Sequence, residues 1–367
     1  MATGWPMKVS YANGDVYSAS DVNDTNGTIN LLGASVAYTA GKNKIINGDF
    51  FVNQRNFSSS TTSGAYGFDR WTGDHSGGTV TWSAQTFTAG AAPVAGYEGK
   101  NYLRAVISGQ SGTGNYAAAV QKIESVRTCA GQTVTVSFWA KAGAGTPKVS
   151  AELRQQFGSG GSADVTATPA QNSTISTSWA RYTQTFAVPS ISGKTIGAGD
   201  SLTLIFFVSA GSDLNSRTNS SGLNNTTIEL WGFQVEVGST ATAFQTATGT
   251  IQGELAACQR YYQLWVNGNS QVIGNGCYIN GTQFNAALSF LVEMRTAPTL
   301  SIVTGTNYYK IANASVGTDF INSITLDMTT SRTLNYYNAT EAGATQGQGG
   351  VLSTNNAAAF VAFQAEL

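Results

Sequence analysis

The sequence predicts an all-β chain: an N-terminal helical arm, a jelly-roll β-sandwich, a short linking helix and a second, C-terminal β-sandwich. Three observations predict it. Short runs of alternating apolar and polar residues recur along the 367 positions, each bounded by Gly, Pro, Ser or Asn, the pattern of half-buried strands in a sandwich. No repeat of about 20 to 50 residues is visible, which argues against a propeller or a parallel β-helix. One stretch, "GELAACQRYYQLW", replaces the strand vocabulary with residues that favour a helix.

Residues 1–43 contain "ASDVNDTNGTINLLGASV", where Ser20 or Asp21 can cap a helix by accepting orphan backbone N–H bonds. Val22, Ile29 and Val36 are seven apart, as are Thr25 and Leu32, which makes a thin heptad seam. Gly27 inside it costs about 1 kcal/mol relative to Ala, so only association would hold this helix. The alternative is an ordinary surface arm. Residues 44–247 open with "KIINGDFFVNQRN", a Gly-Asp turn and a strand-like run. They continue through "GTVTWSAQTFTAG", "NYLRAVISG", "QTVTVSFWAKAG", "PKVSAELRQQFG", "SWARYTQTFAVPS", "SLTLIFFVSAG" and "TTIELWGFQVEVG". Residues 248–367 hold the linking helix, with Leu255, Cys258, Tyr262 and Trp265 on one face, and then a second set of short strands. The helix is expected at the junction, its apolar face packed on one or both sandwiches.

Charged residues make up 11 %, against about 25 % in an ordinary soluble chain. The net charge of -1 leaves no basic footprint for nucleic acid or an acidic membrane. With 41 % hydrophobic and 11 % aromatic residues the chain can bury a core, unlike low-charge disordered sequences. Its surface is then left to Ser, Thr, Asn, Gln and Gly. No apolar run is long enough to span a membrane, and the first twenty residues lack the apolar core of a signal peptide. The expectation is a cytosolic protein, or one released by lysis inside a particle. Cys129, Cys258 and Cys277 share no CxxC spacing and predict buried free thiols rather than a disulfide framework or a zinc site.

Catalytic chemistry has little to stand on. His75 is the single histidine, it has no G-x-S-x-G elbow, and "WTGDHSGG" reads as an exposed loop. One His cannot supply an imidazole metal cluster, no EF-hand loop occurs, and no cofactor is expected. Glycoside hydrolysis needs only two carboxylates, but Asp69, Glu98, Glu124, Glu152 and Glu229 are scattered with no signature pairing them. The expectation is a protein that is not an enzyme.

Aromatic residues on polar strand faces say more. In the strand "QTVTVSFWAKA", Val134, Val136 and Phe138 share one face and Thr133, Thr135, Ser137 and Trp139 the other. In "PKVSAELRQQF", Glu152, Arg154 and Gln156 lie opposite Val149, Ala151 and Leu153. In "TTIELWGFQVEV", Glu229, Trp231, Gln234 and Glu236 lie opposite the core only if Gly232 makes a bulge. A ring covers the apolar face of a pyranose while Gln, Arg and carboxylates bond its hydroxyls. Trp139, Glu152, Arg154, Gln156 and Trp231 are therefore the candidate glycan face. The structural alternative is that Trp139 and Trp231 pack under a loop or a neighbouring protomer. Trp71, in "GFDRW", reads as a loop anchor.

Several stretches resemble tail-fibre and receptor-binding proteins of tailed bacteriophages: "INGDFFVNQRN" with "GFDRW", "GELAACQRYYQ" with "VEMRTAPTL" and "FQAEL", and the N-terminal "NGDVYSASDVND". The run "QTVTVSFWAKAG", "SWARYTQTFAVPS", "ELWGFQVEVGSTATAF" is also similar to jelly-roll carbohydrate-binding modules of glycoside hydrolases. The resemblance implies a homotrimeric virion appendage whose N-terminal arm docks on other particle proteins and whose β domains face host surface polysaccharide. Val22, Ile29, Leu32, Tyr262 and Trp265 would be its trimer contacts. The rival expectations are a purely structural capsid fibre, decoration or adaptor protein, and, less favoured, a glycan depolymerase.

Overall fold

The computed structural model describes residues 40–314 and 317–367. The arm with its expected contacts at Val22, Ile29 and Leu32 lies outside the described residues. Strands dominate the described residues, as the alternating pattern predicts.

The first sandwich comprises β1 (Ser59–Ser60), β2 (Ala65–Tyr66), β3 (Thr72–Ser76), β4 (Thr79–Thr86), β5 (Asn101–Ser108), β6 (Tyr116–Glu124), β7 (Thr133–Ala142), β8 (Lys148–Gln156), β9 (Val165–Thr166), β10 (Ser173–Thr174), β11 (Ala180–Ala187), β12 (Ser201–Ala210) and β13 (Thr227–Val237). They form two antiparallel sheets. The first runs β1-β4-β5-β13-β7-β11 and the second β10-β8-β12-β6-β3-β2, with β9 also on β8. Alternate side chains fill the space between them. Phe138 of β7 meets Phe206 of β12 with ring centroids 4.5 Å apart, and both meet Phe233 of β13. Burying each such side chain stabilises the fold by about 1.5 to 3 kcal/mol.

The run "DFFVNQ" is not a strand. Asn47 takes φ +56, and its side chain does what a neighbouring strand would do. Its Nδ2 donates to the carbonyls of Val52 and Asp69, and its Oδ1 accepts from the Val52 N–H. The adjacent Gly48 lies so close to β13 that a Cβ there would stand 2.2 Å from the Phe233 carbonyl oxygen. Phe50 and Trp71 pack on Phe233, and the Trp71 indole donates to the Asn47 carbonyl at 3.0 Å. The motif is a staple that locks the start of the described chain to the central strand.

After β12 come a 3-10 turn at Ser212–Leu214 and the single turn α1 (Asn215–Thr218); α2 (Ile251–Gln259) follows β13. Helix α2 is shorter than the sequence suggests, and its buried face is different. Thr250 caps it by accepting from the Gly253 N–H at 3.0 Å. Glu254 and Cys258 are buried, whereas Leu255 is 38 % and Ile251 60 % exposed. The Glu254 carboxylate can go inside because it accepts from the Asn47 N–H and from the N–H and hydroxyl of Thr248, 2.7 to 3.0 Å away. Tyr262 and Trp265 are not helical; they stand on the first strand of the second sandwich.

That sandwich comprises β14 (Tyr262–Asn267), β15 (Val272–Asn280), β16 (Gln283–Ser289), β17 (Thr299–Ile302), β18 (Tyr309–Asn313), β19 (Gly317–Ile321), β20 (Thr325–Thr329), β21 (Thr333–Asn338), β22 (Gly349–Thr354) and β23 (Phe360–Gln364). A three-stranded sheet, β14-β23-β17, packs on a seven-stranded one, β19-β18-β22-β15-β16-β21-β20. Tyr309, Ile311, Tyr336, Leu352 and Phe363 lie in the core between them.

Cations and rings join the two sandwiches. The Arg55 guanidinium lies over the rings of Tyr66 and Tyr262, and that of Arg70 over Tyr261. Both arginines pair with Glu366, while Glu124 accepts from Arg260 and from the Tyr261 hydroxyl. Tyr262, expected with Trp265 at a three-fold axis, is buried beneath the Arg55 guanidinium. Trp265 donates to the Ile273 carbonyl at 2.8 Å. Cys129 and Cys258 are buried free thiols, but Cys277, expected buried, is exposed on β15. His75, expected in an exposed loop, is half-buried in β3.

Candidate functional site

Register assigns the five glycan-face candidates to two opposite sides of the first sandwich. Trp139 and Trp231 belong to the first sheet; Glu152, Arg154 and Gln156 belong to the second. They form no common face.

On the first sheet the bulge at Gly232 is present. Gly232 takes φ +67, and the β13–β7 register shifts between Trp231 and Gln234. Trp231 sits directly across from Trp139, with ring centroids 5.4 Å apart. Neither ring is open to a ligand: Trp231 is 0 % and Trp139 7 % exposed. Phe244, from the segment after β13, and Tyr97, from the β4–β5 connection, close over Trp231 at 4.9 and 5.5 Å. Arg181 lies over the Trp139 ring and donates to the Ser137 hydroxyl and the Thr242 carbonyl. Burial alone would raise the Glu236 carboxyl. Hydrogen bonds from Gln234 and Thr242, with the Lys42 charge, instead hold it below its ordinary range. This face is a second packing layer. The two tryptophans are thus corrected from a ligand surface to a covered one, because the flanking connections fold back over them.

The outer face of the second sheet is different. Across β3, β6, β12 and β8, register aligns Thr72, Val120, Ile205 and Glu152 in one row and Asp74, Ala118, Phe207 and Ser150 in the next. Val120 and Ile205 are half-exposed and form an apolar strip. Polar groups edge it on both sides. At one side the Tyr116 hydroxyl donates to Asp74 at 3.0 Å, and Asp74 also accepts from the Ser63 hydroxyl at 2.5 Å. At the other side Glu152 receives Arg154 at 2.7 Å and Arg217, from α1, at 2.7 Å. Gln156 accepts from the Thr203 hydroxyl at 2.5 Å. A cleft of about 370 Å³ lined by Tyr66, Thr72, Asp74, Val120 and Lys122 continues the strip toward the second sandwich.

Val120, Tyr116 and Arg217 escape a reading of the sequence. β6 does not look like a strand, and Arg217 lies on a four-residue turn whose place over the sheet has no local signal. A larger cleft, about 550 Å³, lies between Tyr97, Phe244 and α2. Two of its three acids are engaged internally: Asp49 accepts from the Tyr97 hydroxyl at 2.5 Å, and Glu254 is held by Asn47 and Thr248, while the exposed Glu98 accepts from the Gly90 N–H. Burial pushes the Asp49 and Glu254 carboxyls up. Among the described residues no three His, Cys, Asp or Glu side chains gather to hold a metal ion.

No curated protein matches the chain. Among solved structures it is similar to the enzymatically active domain of tailspike protein 4 of bacteriophage CBA120, at 16 % identity and a TM-score of 0.32. That match covers 54 % of this chain and only 22 % of the tailspike chain. It is also similar to the CBM22-1 xylan-binding domain of Paenibacillus barcinonensis Xyn10C, at 14 % identity and a TM-score of 0.30, over 56 % of this chain and 99 % of that one. The tandem CBM22-1–CBM22-2 domain of the same protein matches over 90 % of this chain and 99 % of its own, at 11 % identity and a TM-score of 0.31. Residues 42–207, from the stapled start of the first sandwich into β12, match the family described as the carbohydrate binding domain.

Proposed function

We propose that the chain binds glycan through the outer face of the second sheet, without cleaving it, as part of the host-contacting appendage of a phage particle. One observation carries the binding reading. The Val120–Ile205 strip is partly exposed and is flanked by side chains already fixed in place, Asp74–Tyr116 on one side and Arg154–Glu152–Arg217 on the other. A sugar ring can lay its apolar face on the strip and meet donors and acceptors that lose little freedom on binding. Both Glu152 oxygens are held by arginines, which suits a binding group rather than an acid or a nucleophile. The phage assignment, its homotrimeric state and its place in the virion are supported by the resemblance of the N- and C-terminal stretches to fibre proteins. Low surface charge agrees, because it leaves strand edges for neighbours to cover.

The test pairs thermal unfolding with binding to host cells and extracted polysaccharide. Tyr116→Ala and Arg154→Ala are expected to weaken binding per folded molecule by about 1 to 3 kcal/mol, taking base–aromatic stacking as the nearest scale, beyond any loss of stability. Trp139→Ala, on the opposite sheet, should not alter binding per folded molecule. Binding that falls only as folded protein falls would favour the purely structural reading. Light scattering checks assembly, and a monomer at micromolar concentration would remove the trimer.

A further inference from the structure

The geometry points to an anionic sugar as the ligand of this face, with Arg217 as the residue that receives its carboxylate or sulfate group; the inference rests on the glycan reading of the same face. Two guanidiniums, Arg154 and Arg217, share a single carboxylate, Glu152, whose side chain is fully buried. One positive charge on that edge of the strip is therefore uncompensated. Asp74 lies across the strip and is bonded only by the neutral hydroxyls of Tyr116 and Ser63, so the excess of positive charge is confined to the Arg154–Arg217 edge.

Arg217 is also aimed. Its Nε donates to Glu152 at 2.7 Å, and its guanidinium carbon stands 5.1 Å from the centre of the Phe207 ring. Its two terminal amino groups make no hydrogen bond among the described residues, and the side chain is 30 % exposed. A guanidinium fixed by its Nε and resting on a ring presents its remaining edge as a fork, the geometry that takes a carboxylate or sulfate through two parallel bonds. The apolar strip lies beside it, so one sugar can place its C–H face on Ile205 and its anionic group on Arg217. The backbone that sets α1 is itself unusual: Asn219 and Ser220, immediately after it, both take positive φ, +49 and +57. Consecutive left-handed residues without glycine are the sort of strain that collects at binding sites.

The experiment measures binding of the full chain to matched polymers by affinity electrophoresis. The pairs are polygalacturonate with its carboxyl-reduced form and dextran sulfate with dextran, and polyglutamate serves as a charge control. At least one anionic polymer should bind about tenfold more tightly than its neutral partner. That difference should collapse in R217Q and be only partly kept in R217K, which retains the charge but not the fork. Preference confined to one pair assigns carboxylate or sulfate. Equal binding of both members of each pair, an undiminished preference in R217Q, or equally tight binding of polyglutamate would overturn the anionic assignment and leave the glycan reading standing. Binding of no polysaccharide, including extracts of host surface, would overturn both.

Discussion

Trp139 and Trp231 meet across β7 and β13 at 5.4 Å and 65°, buried on the outer side of a sheet where a solvent-facing pair would be expected. Their contact shows that the first sheet has two packed faces. One is the interior of the sandwich; the other is the layer made by Tyr97, Phe244 and Arg181. Trp231→Ala would leave a cavity where four rings now touch, at a cost of about 3 to 5 kcal/mol. Denaturant unfolding should show that loss, with glycan binding per folded molecule unchanged. A specific binding defect with normal stability would return Trp231 to the ligand surface.

Gly48 makes a comparable demand two residues farther along β13, at Phe233. A methyl group there would stand 2.2 Å from the Phe233 carbonyl oxygen, and the Phe233 N–H already donates to the Gly48 carbonyl at 2.9 Å. Neither backbone can retreat without breaking that bond. Gly48→Ala should therefore destabilise the first sandwich by about 1 to 3 kcal/mol, as overpacking does. A melting temperature equal to that of the parent would show that the two backbones are not in contact.

These two positions show how far the sequence is legible. Period-two alternation sorts β7, β8 and β13 into faces, and it locates the bulge at Gly232, because side-chain direction is local. It does not say which sheet each strand joins, so Trp139 and Arg154 read as one surface when they lie on opposite ones. β6 gives no strand signal at all. "YAAAVQKIE" is rich in good helix formers, and only packing of Ala117 and Ala119 between the sheets makes it a strand. The helical reading of Tyr262 and Trp265 fails for the converse reason: spacings of three and four in a short run do not show where a helix stops.

Asp49 gives the fold a pH dependence. Burial outweighs its hydrogen bonds from Tyr97 and Phe51 and raises the carboxyl above the ordinary value of about 3.9. Between the unfolded and the folded value the native state then holds more protons, so stability falls as pH rises through that window. Asn can still accept from Tyr97 without a charge to desolvate. Asp49→Asn should therefore melt higher than the parent at pH 7, with the advantage shrinking on acidification toward pH 4. Melting curves of the two proteins that stay parallel across this range would refute the assignment.

The junction supplies the sharpest contrast between two ion pairs of the same chemistry. Arg70 and Glu366 pair with 2 % and 9 % of their side chains exposed, Arg55 shares the carboxylate, and Arg70 lies on the Tyr261 ring. Arg332 and Glu293 pair at 3.0 Å on the open surface of the second sandwich. Removing one partner of a buried pair leaves the other charge desolvated and costs about 3 to 5 kcal/mol, whereas an exposed pair is screened by water and salt. Glu366→Gln should thus lower the unfolding midpoint markedly. Two separate transitions are then expected, because the residues it releases are those that hold the sandwiches together. Glu293→Gln should be indistinguishable from the parent. Urea unfolding followed by tryptophan fluorescence reads both sandwiches, since Trp71 and Trp231 report on the first and Trp265 on the second. Equal, small effects of the two substitutions would mean that the junction is held by its rings alone and that Glu366 contributes nothing beyond a surface pair.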